Sequence, residues 1–227
     1  MDRGTVCITG ASRGIGKALT LKYADEGYKV LAVSRSHGAN SKIESSKNLI
    51  EVIADITTQD GCEIIRSAAE RAGGINVLIH NAGMLVHKPF KDITGVELRE
   101  VYEVNVFAPF ILTQSLLPHM KRCHVVSLSS IGGVENSVKF PGLSAYSSSK
   151  AALNCISQML AEEFKDTEHS FNCLALGSVQ TEMFSNAFPS FQAACSPDVM
   201  AQYIYDYANS AQLVQNGKII SVSRSNP

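Results

Sequence analysis

The chain has 227 residues, 45% hydrophobic and 18% charged, the balance of a folded globular protein with a large core of its own. Twenty Lys and Arg against 21 Asp and Glu leave a net charge of -1 with no basic run, which argues against a nucleic-acid partner. No apolar run reaches the roughly 18 residues of a membrane span, and the first opens at Thr5 with no room for a signal peptide, so a cytoplasmic protein is expected.

Short β-branched runs alternate with helical patterns. Strands are predicted at 5–9, 29–34, 49–54, 75–80, 123–129, 170–176 and 218–222. Helices are predicted at 14–26, 58–72, 95–119, 146–166 and 197–211. Most strands are continuously apolar, as strands covered on both faces are. Each is followed by enough residues for a crossover helix, which predicts a doubly wound α/β (Rossmann) fold of about seven parallel strands, one domain over 1–227. Gly27 and Gly73-Gly74 read as helix stops, and Ser196-Pro197 as a helix start. The polar stretch between the second and third strands reads as loop with room for a short helix. Cys7, Cys62, Cys123, Cys155, Cys173 and Cys195 form no CxxC pair and several lie in apolar runs, so free thiols in a reducing compartment are expected. The six histidines show no ligand spacing, and no metal site is expected.

Between the first strand and first helix, "TVCITGASRGIGKAL" sets Gly10, Gly14 and Gly16 where a backbone can approach a ligand closely. A helix N-terminus there offers free N–H groups and a positive dipole end to a pyrophosphate. The spacing is GxxxGxG rather than the commoner GxGxxG; a plain tight turn is the other reading. Dinucleotide folds usually carry an acid at the end of the second strand. Here Ser34 and Arg35 stand instead, and Arg13 lies in the glycine turn. Either arginine could be a solvated surface residue. With the acid missing, the pair suits a 2′-phosphate, which points to NADP(H).

"SAYSSSKAAL", residues 144–153, reads either as a serine-rich linker or as the start of a helix. The helix-compatible residues after Lys150 favour the helix. Tyr146 and Lys150 then share one face, and a nearby ammonium is expected to lower the phenol pKa. Ser129-Ser130 ends the strand upstream, at the edge where doubly wound sheets bind ligands.

In family order, "TGASRGIG", "NAG" at 81–83, "VNVFAP" around Asn105, "SLSSIGG" around Ser130, "YSSSK" and "GSVQTEM" at 177–183 match the short-chain dehydrogenase/reductase pattern. The chain resembles that family from Gly10 to Met183. The resemblance implies Tyr146 as proton donor or acceptor at a carbonyl or alcohol. It implies Lys150 as holder of the nicotinamide ribose, Ser130 as hydrogen-bond donor to the substrate oxygen, and Asn105 as anchor of a relay water. It implies cofactor contacts at Gly10, Ser12, Arg13, Gly14, Ile15, Gly16, Ser34, Arg35, Asp55, Ile56, Asn81, Ala82, Gly83, Tyr146, Lys150, Val179 and Thr181. Asn81 and Gly83 could instead only shape a turn, Asn105 could patch a kink near Pro109, and Ser130 has serine neighbours one and three residues upstream.

Two departures stand out. His80 precedes the "NAG" motif where a second asparagine is frequent, and Leu176 stands where a proline usually precedes Gly177. The segment 181–196 is short and aromatic, so a small lid over a hydrophobic or modest-sized carbonyl is expected. The expected activity is NADPH-dependent carbonyl reduction on a small molecule. NAD-dependent alcohol oxidation and a non-catalytic dinucleotide sensor are the alternatives. The apolar run "VFAPFILTQSLL" predicts a homo-oligomer, a dimer or tetramer.

Overall fold

Alternate side chains of each central strand point into two separate cores, which fixes helices on both sides of one sheet. The computed structural model describes residues 3–36 and 48–224. Its strands are β1 (Thr5–Thr9), β2 (Lys29–Ser34), β3 (Leu49–Ile53), β4 (Ile75–His80), β5 (Met120–Ser130), β6 (Ser170–Leu176) and β7 (Ile219–Val222). All pair in parallel, in the order β3-β2-β1-β4-β5-β6-β7. The helices are α1 (Gly14–Asp25), α2 (Gln59–Arg71), α3 (Gly95–Tyr102), α4 (Ala108–Leu116), α5 (Ser144–Glu163), α6 (Glu182–Ala187) and α7 (Pro197–Ser210). The expected doubly wound fold is what the chain forms.

Val6, Ile8, Val30, Ala32 and Val77 pack under α1 and α7, while Cys7, Leu31, Val33 and Leu78 pack under α2 and α4. Fully burying each such aliphatic side chain stabilises the fold by about 1.5–3 kcal/mol. The edge strands β3 and β7 carry half-exposed and exposed side chains, so the two-sided pattern weakens there. The chain moves outward from β1 to β3, then returns to β4 on the other side of β1. That reversal opens a crevice beyond the carboxyl ends of β1 and β4.

Thr58, Thr94 and Ser196 cap α2, α3 and α7, and Thr94 forms a reciprocal capping box with Glu97. Gly27 and Gly73 follow α1 and α2 at positive φ, as the helix-stop reading requires. The polar stretch after Ser36, expected to be loop, lies from 37 to 47, outside the described residues.

The predicted helix over 95–119 is corrected. It is α3, a π turn at Glu103–Phe107, α4, and a final 3-10 turn at Leu117–His119. Pro109 has no N–H for the carbonyl of Asn105, its i−4 partner, and its ring crowds that position. A wider turn relieves the clash. A short helix the sequence reading did not place, α6, forms within 181–196, the segment expected to act as a lid.

Candidate active site

Every expected site residue lies at the carboxyl edge of the sheet. Gly10, Ser12, Arg13, Gly14, Ile15 and Gly16 follow β1; Ser34 ends β2 and Arg35 follows it; Asp55 and Ile56 follow β3. Asn81, Ala82 and Gly83 follow β4, Ser130 ends β5, and Val179 and Thr181 follow β6. Tyr146 and Lys150 stand on the first two turns of α5.

Close packing shapes the glycine turn. A Cβ on Gly16 would sit 2.2 Å from the Gly10 carbonyl oxygen, and one on Gly10 would sit 2.9 Å from Ala82 Cα. Asn81 fastens this turn: its Nδ2 donates to the carbonyls of Thr9 and Gly10 at 2.8 and 3.0 Å. The amides of Asn81 and Ala82 both donate to Thr9 Oγ1 at 3.1 Å. The Asn81 side chain therefore shapes the turn. The first turn of α1 holds no acidic residue and its N-cap, Arg13, makes no side-chain cap. Its N-terminal N–H groups and dipole face an open site suited to an anion.

Asn105, fully buried in the π turn, is also committed within the protein. Its Nδ2 donates to Met84 O at 2.8 Å and to Ser149 Oγ at 2.9 Å, and its Oδ1 accepts from Met84 N at 2.8 Å. A Cβ on Gly83 would lie 3.4 Å from that Oδ1 and 3.6 Å from Lys150 Nζ. The loop after β4, the π turn and α5 thus meet at one point.

Buried Ser129 donates to the Lys150 carbonyl at 3.2 Å, which leaves the half-buried Ser130 as the serine turned outward from the helix contact. Gly132 N donates to Ser130 Oγ at 3.3 Å, so the Ser130 hydroxyl hydrogen is free for another acceptor. A Cβ on Gly133 would come within 2.9 Å of Lys150 Cβ; the missing side chain lets this turn press against α5 at the lysine.

Lys150 is 4% exposed and donates from Nζ to Leu128 O at 2.8 Å, with Nζ 5.7 Å from the Tyr146 ring centre. Burial lowers its pKa to about 8. Burial also raises the Tyr146 phenol to about 12. This corrects the expected direction: desolvation of the phenolate governs Tyr146 here, and the ammonium is drawn to Leu128.

At the end of β2, Ser34 Oγ donates to Ser36 O at 2.9 Å and Arg35 is exposed. Asp55 accepts from Thr57 N at 3.0 Å and Thr57 Oγ1 at 2.7 Å. Those bonds, then the Arg35 charge, hold its carboxyl below the usual range. Arg13 does not point to the end of β2. Its Nη1 lies 2.9 Å from Glu182 Oε2 at the start of α6.

The segment 181–196, expected to act as a lid, is held at its base by an isolated parallel bridge between Val179 and Cys195. Gln180 fastens it further, accepting from Ala193 N at 2.7 Å and donating to Ser185 Oγ at 2.9 Å. Thr181 Oγ1 caps α6. A threonine followed by an acid is a helix-start signal, and it makes α6 legible in retrospect. Phe188 packs against Phe184, Phe191 and His87, with ring centres 5.3, 6.4 and 4.7 Å away, edge-on to Phe191 and tilted to the other two. His87 Nδ1 lies 2.9 Å from Ala187 O, so it closes the far end of α6; nothing in its sequence context singles it out.

The family model described as short chain dehydrogenase matches residues 4–191. The chain belongs to the short-chain dehydrogenase family. As such it is an NAD(P)-dependent oxidoreductase. L-2,3-butanediol dehydrogenase of Corynebacterium glutamicum is 32% identical over 190 residues, covering 78% of this chain and 72% of that protein. L-xylo-3-hexulose reductase of Hypocrea jecorina is 27% identical over 227 positions, covering 88% and 74%. The solved structure of ElxO with NADP bound is 25% identical, with a TM-score of 0.86 over 98% of this chain and 97% of that one.

A dinucleotide fits what this dehydrogenase-family chain presents. The glycine turn packs so tightly on itself and on the loop after β4 that a Cβ at Gly10 or Gly16 would not fit, and the first turn of α1 holds no acidic residue to oppose a pyrophosphate. Among the described residues no group of His, Cys, Asp and Glu could hold a metal ion. No helix among them is long and apolar enough to cross a membrane.

Proposed function

We propose that this chain is an NADPH-dependent carbonyl reductase with Tyr146 as proton donor. The observation that carries the reading is the placement of the half-buried Tyr146 one helical turn from Lys150, whose Nζ lies 5.7 Å from the phenol ring, with Ser130 ending β5 at the same edge of the sheet. The phenol, pushed up to about 12 by desolvation, carries its proton at neutral pH and can give it up as an acid. The bound nicotinamide supplies the hydride. Tyr146 gives its proton to the carbonyl oxygen as that oxygen gains charge. Ser130, its Oγ already accepting from Gly132 N, donates to the same oxygen. Lys150 spends one N–H on Leu128 O and keeps the others for the nicotinamide ribose. The Asn105 side chain is fully engaged, so the proposed relay water sits on the Asn105 backbone carbonyl, which Pro109 leaves without its α-helical donor.

Gly10, Ser12, Gly14, Ile15 and Gly16 would line the pyrophosphate, with Asn81, Ala82 and Gly83 beside them. Asp55 and Ile56 would meet the adenine, and Val179 and Thr181 the carboxamide side. Arg35 would hold the 2′-phosphate, with Ser34 in place of the acid that would repel it. A partly exposed charged hydrogen bond from Arg35 gives a preference for NADPH of about tenfold. Titrating NADPH and NADH into wild type, Arg35→Ala and Ser34→Asp tests this. Arg35→Ala should weaken NADPH alone, and Ser34→Asp should reverse the preference. Equal affinities in the wild type would overturn the cofactor assignment.

Alcohol oxidation is the second reading, and the 32% identical butanediol dehydrogenase favours it. We also propose that the chain works as a homo-oligomer, dimer or tetramer, in a reducing, cytoplasmic setting. Phe107, Phe110 and Ile111 around α4 are about half exposed, and Met159 on α5 more so. Pairing these faces across a two-fold axis would cover them. Sedimentation at the mass of one chain, 24.5 kDa, at micromolar concentration would contradict it. The free thiols Cys7, Cys62, Cys123 and Cys173 are buried, in keeping with that compartment.

A further inference from the structure

Arg13 and Glu182 are 169 residues apart in sequence, yet their ion pair joins the glycine turn to the first residue of the lid helix. The backbones meet at the same place, since a Cβ on Gly14 would lie 3.2 Å from Thr181 Cγ2. Thr181 caps α6, and Glu182 is the only acid in its first turn. Both side chains are largely in water, 58% and 66% exposed, so the pair is weak and exchangeable. A guanidinium presents one planar fork to a bidentate acceptor. Glu182 holds Arg13 through Nη1 alone, and turning the guanidinium so that its fork meets a phosphate on the adenine side gives up that contact.

We infer that Glu182 is a cofactor-specificity residue that competes with the 2′-phosphate of NADPH for Arg13. The inference rests on the proposed preference for a 2′-phosphorylated cofactor. NADPH draws Arg13 away from Glu182. NADH, with no 2′-phosphate, leaves the pair intact. The contact therefore narrows the gap between the two cofactors and ties the start of the lid to which one is bound. Arg35 has no such competitor in the lid, since the carboxylate whose titration it shifts is Asp55.

The test is calorimetric titration of NADPH, NADH and adenosine 2′,5′-bisphosphate into wild type, Glu182→Gln, Arg13→Ala and the double variant. Exposed ion pairs are worth enough to change affinity by roughly two- to fivefold. Glu182→Gln should tighten NADPH and the bisphosphate by that factor and leave NADH unchanged. The gain should vanish in the Arg13→Ala background. Equal tightening of NADPH and NADH would overturn the inference, because Arg13 would then serve the shared pyrophosphate. No change, a loss of affinity, or a gain that survives Arg13→Ala would overturn it as well. If Arg13→Ala weakens NADPH selectively while Glu182→Gln does nothing, the inference alone fails. If Arg13→Ala affects the two cofactors equally and the wild type prefers neither, the 2′-phosphate reading falls, and the inference with it.

Discussion

Lys150 reaches across from α5 to the backbone of β5, where its Nζ donates to Leu128 O at 2.8 Å. This bond anchors an ammonium that is almost wholly buried and sets it beside, rather than against, the phenol of Tyr146. The strand carbonyl and the helical lysine together fix where the ammonium stands.

Burial holds the Lys150 pKa at about 8, below its ordinary 10.5. Between those values the unfolded chain keeps a proton that the folded chain has released, so stability rises with pH across that window. The stability difference between wild type and Lys150→Met should move by about 2–3 kcal/mol in favour of wild type from pH 7 to pH 10. Urea unfolding of both proteins without cofactor measures it. A difference that does not change with pH would contradict burial as the cause.

His80 meets the same charge problem, because burial disfavours its cation too. It is 3% exposed, Nε2 is 2.8 Å from Thr113 Oγ1, and Nδ1 has no partner. Burial, helped by the Lys150 charge, lowers its pKa to about 3 from 6.5. Below pH 6.5 the unfolded chain binds a proton that folded His80 refuses, so stability is lost as pH falls. Wild type should lose about 2–3 kcal/mol relative to His80→Asn between pH 7 and pH 4.5. Parallel acid-side curves for the two proteins would show that His80 is accessible to protons in the fold.

Asn105 makes three hydrogen bonds from a fully buried amide, two of them to the Met84 backbone. Asn105→Ala leaves those groups without partners and should destabilise the protein by about 2–4 kcal/mol. Hydrogen exchange at the Met84 amide should quicken more than exchange elsewhere in the sheet. Unchanged protection at Met84 would mean that water replaces the side chain without loss.

Periodicity made the sheet and most helices legible, and the family motifs pointed to the site residues. Continuous apolar runs marked the central strands, the glycine spacing marked the first turn, and the four-residue step from Tyr146 to Lys150 placed both on one helix face. What local sequence could not show depends on partners far along the chain. Glu182 takes Arg13 from a position 169 residues away, and Met84 engages Asn105. The pKa of Tyr146 moved opposite to expectation because desolvation is a property of the packed site, and no spacing encodes it. The π turn needed the combination of Pro109 with a buried Asn105, which a helical pattern over 95–119 conceals.

The central claim is that Tyr146 supplies the proton for carbonyl reduction. The most direct measurement is NADPH consumption by wild type and Tyr146→Phe with a panel of aldehydes, diketones, β-ketoacyl thioesters and quinones, with NADPH binding titrated in parallel. Wild type should turn over at least one of these carbonyls. Tyr146→Phe should bind NADPH within about threefold of wild type yet lose a factor of about 100 or more in rate. Turnover by Tyr146→Phe at more than a few per cent of wild type, or no NADPH consumption by wild type with any carbonyl, would contradict it.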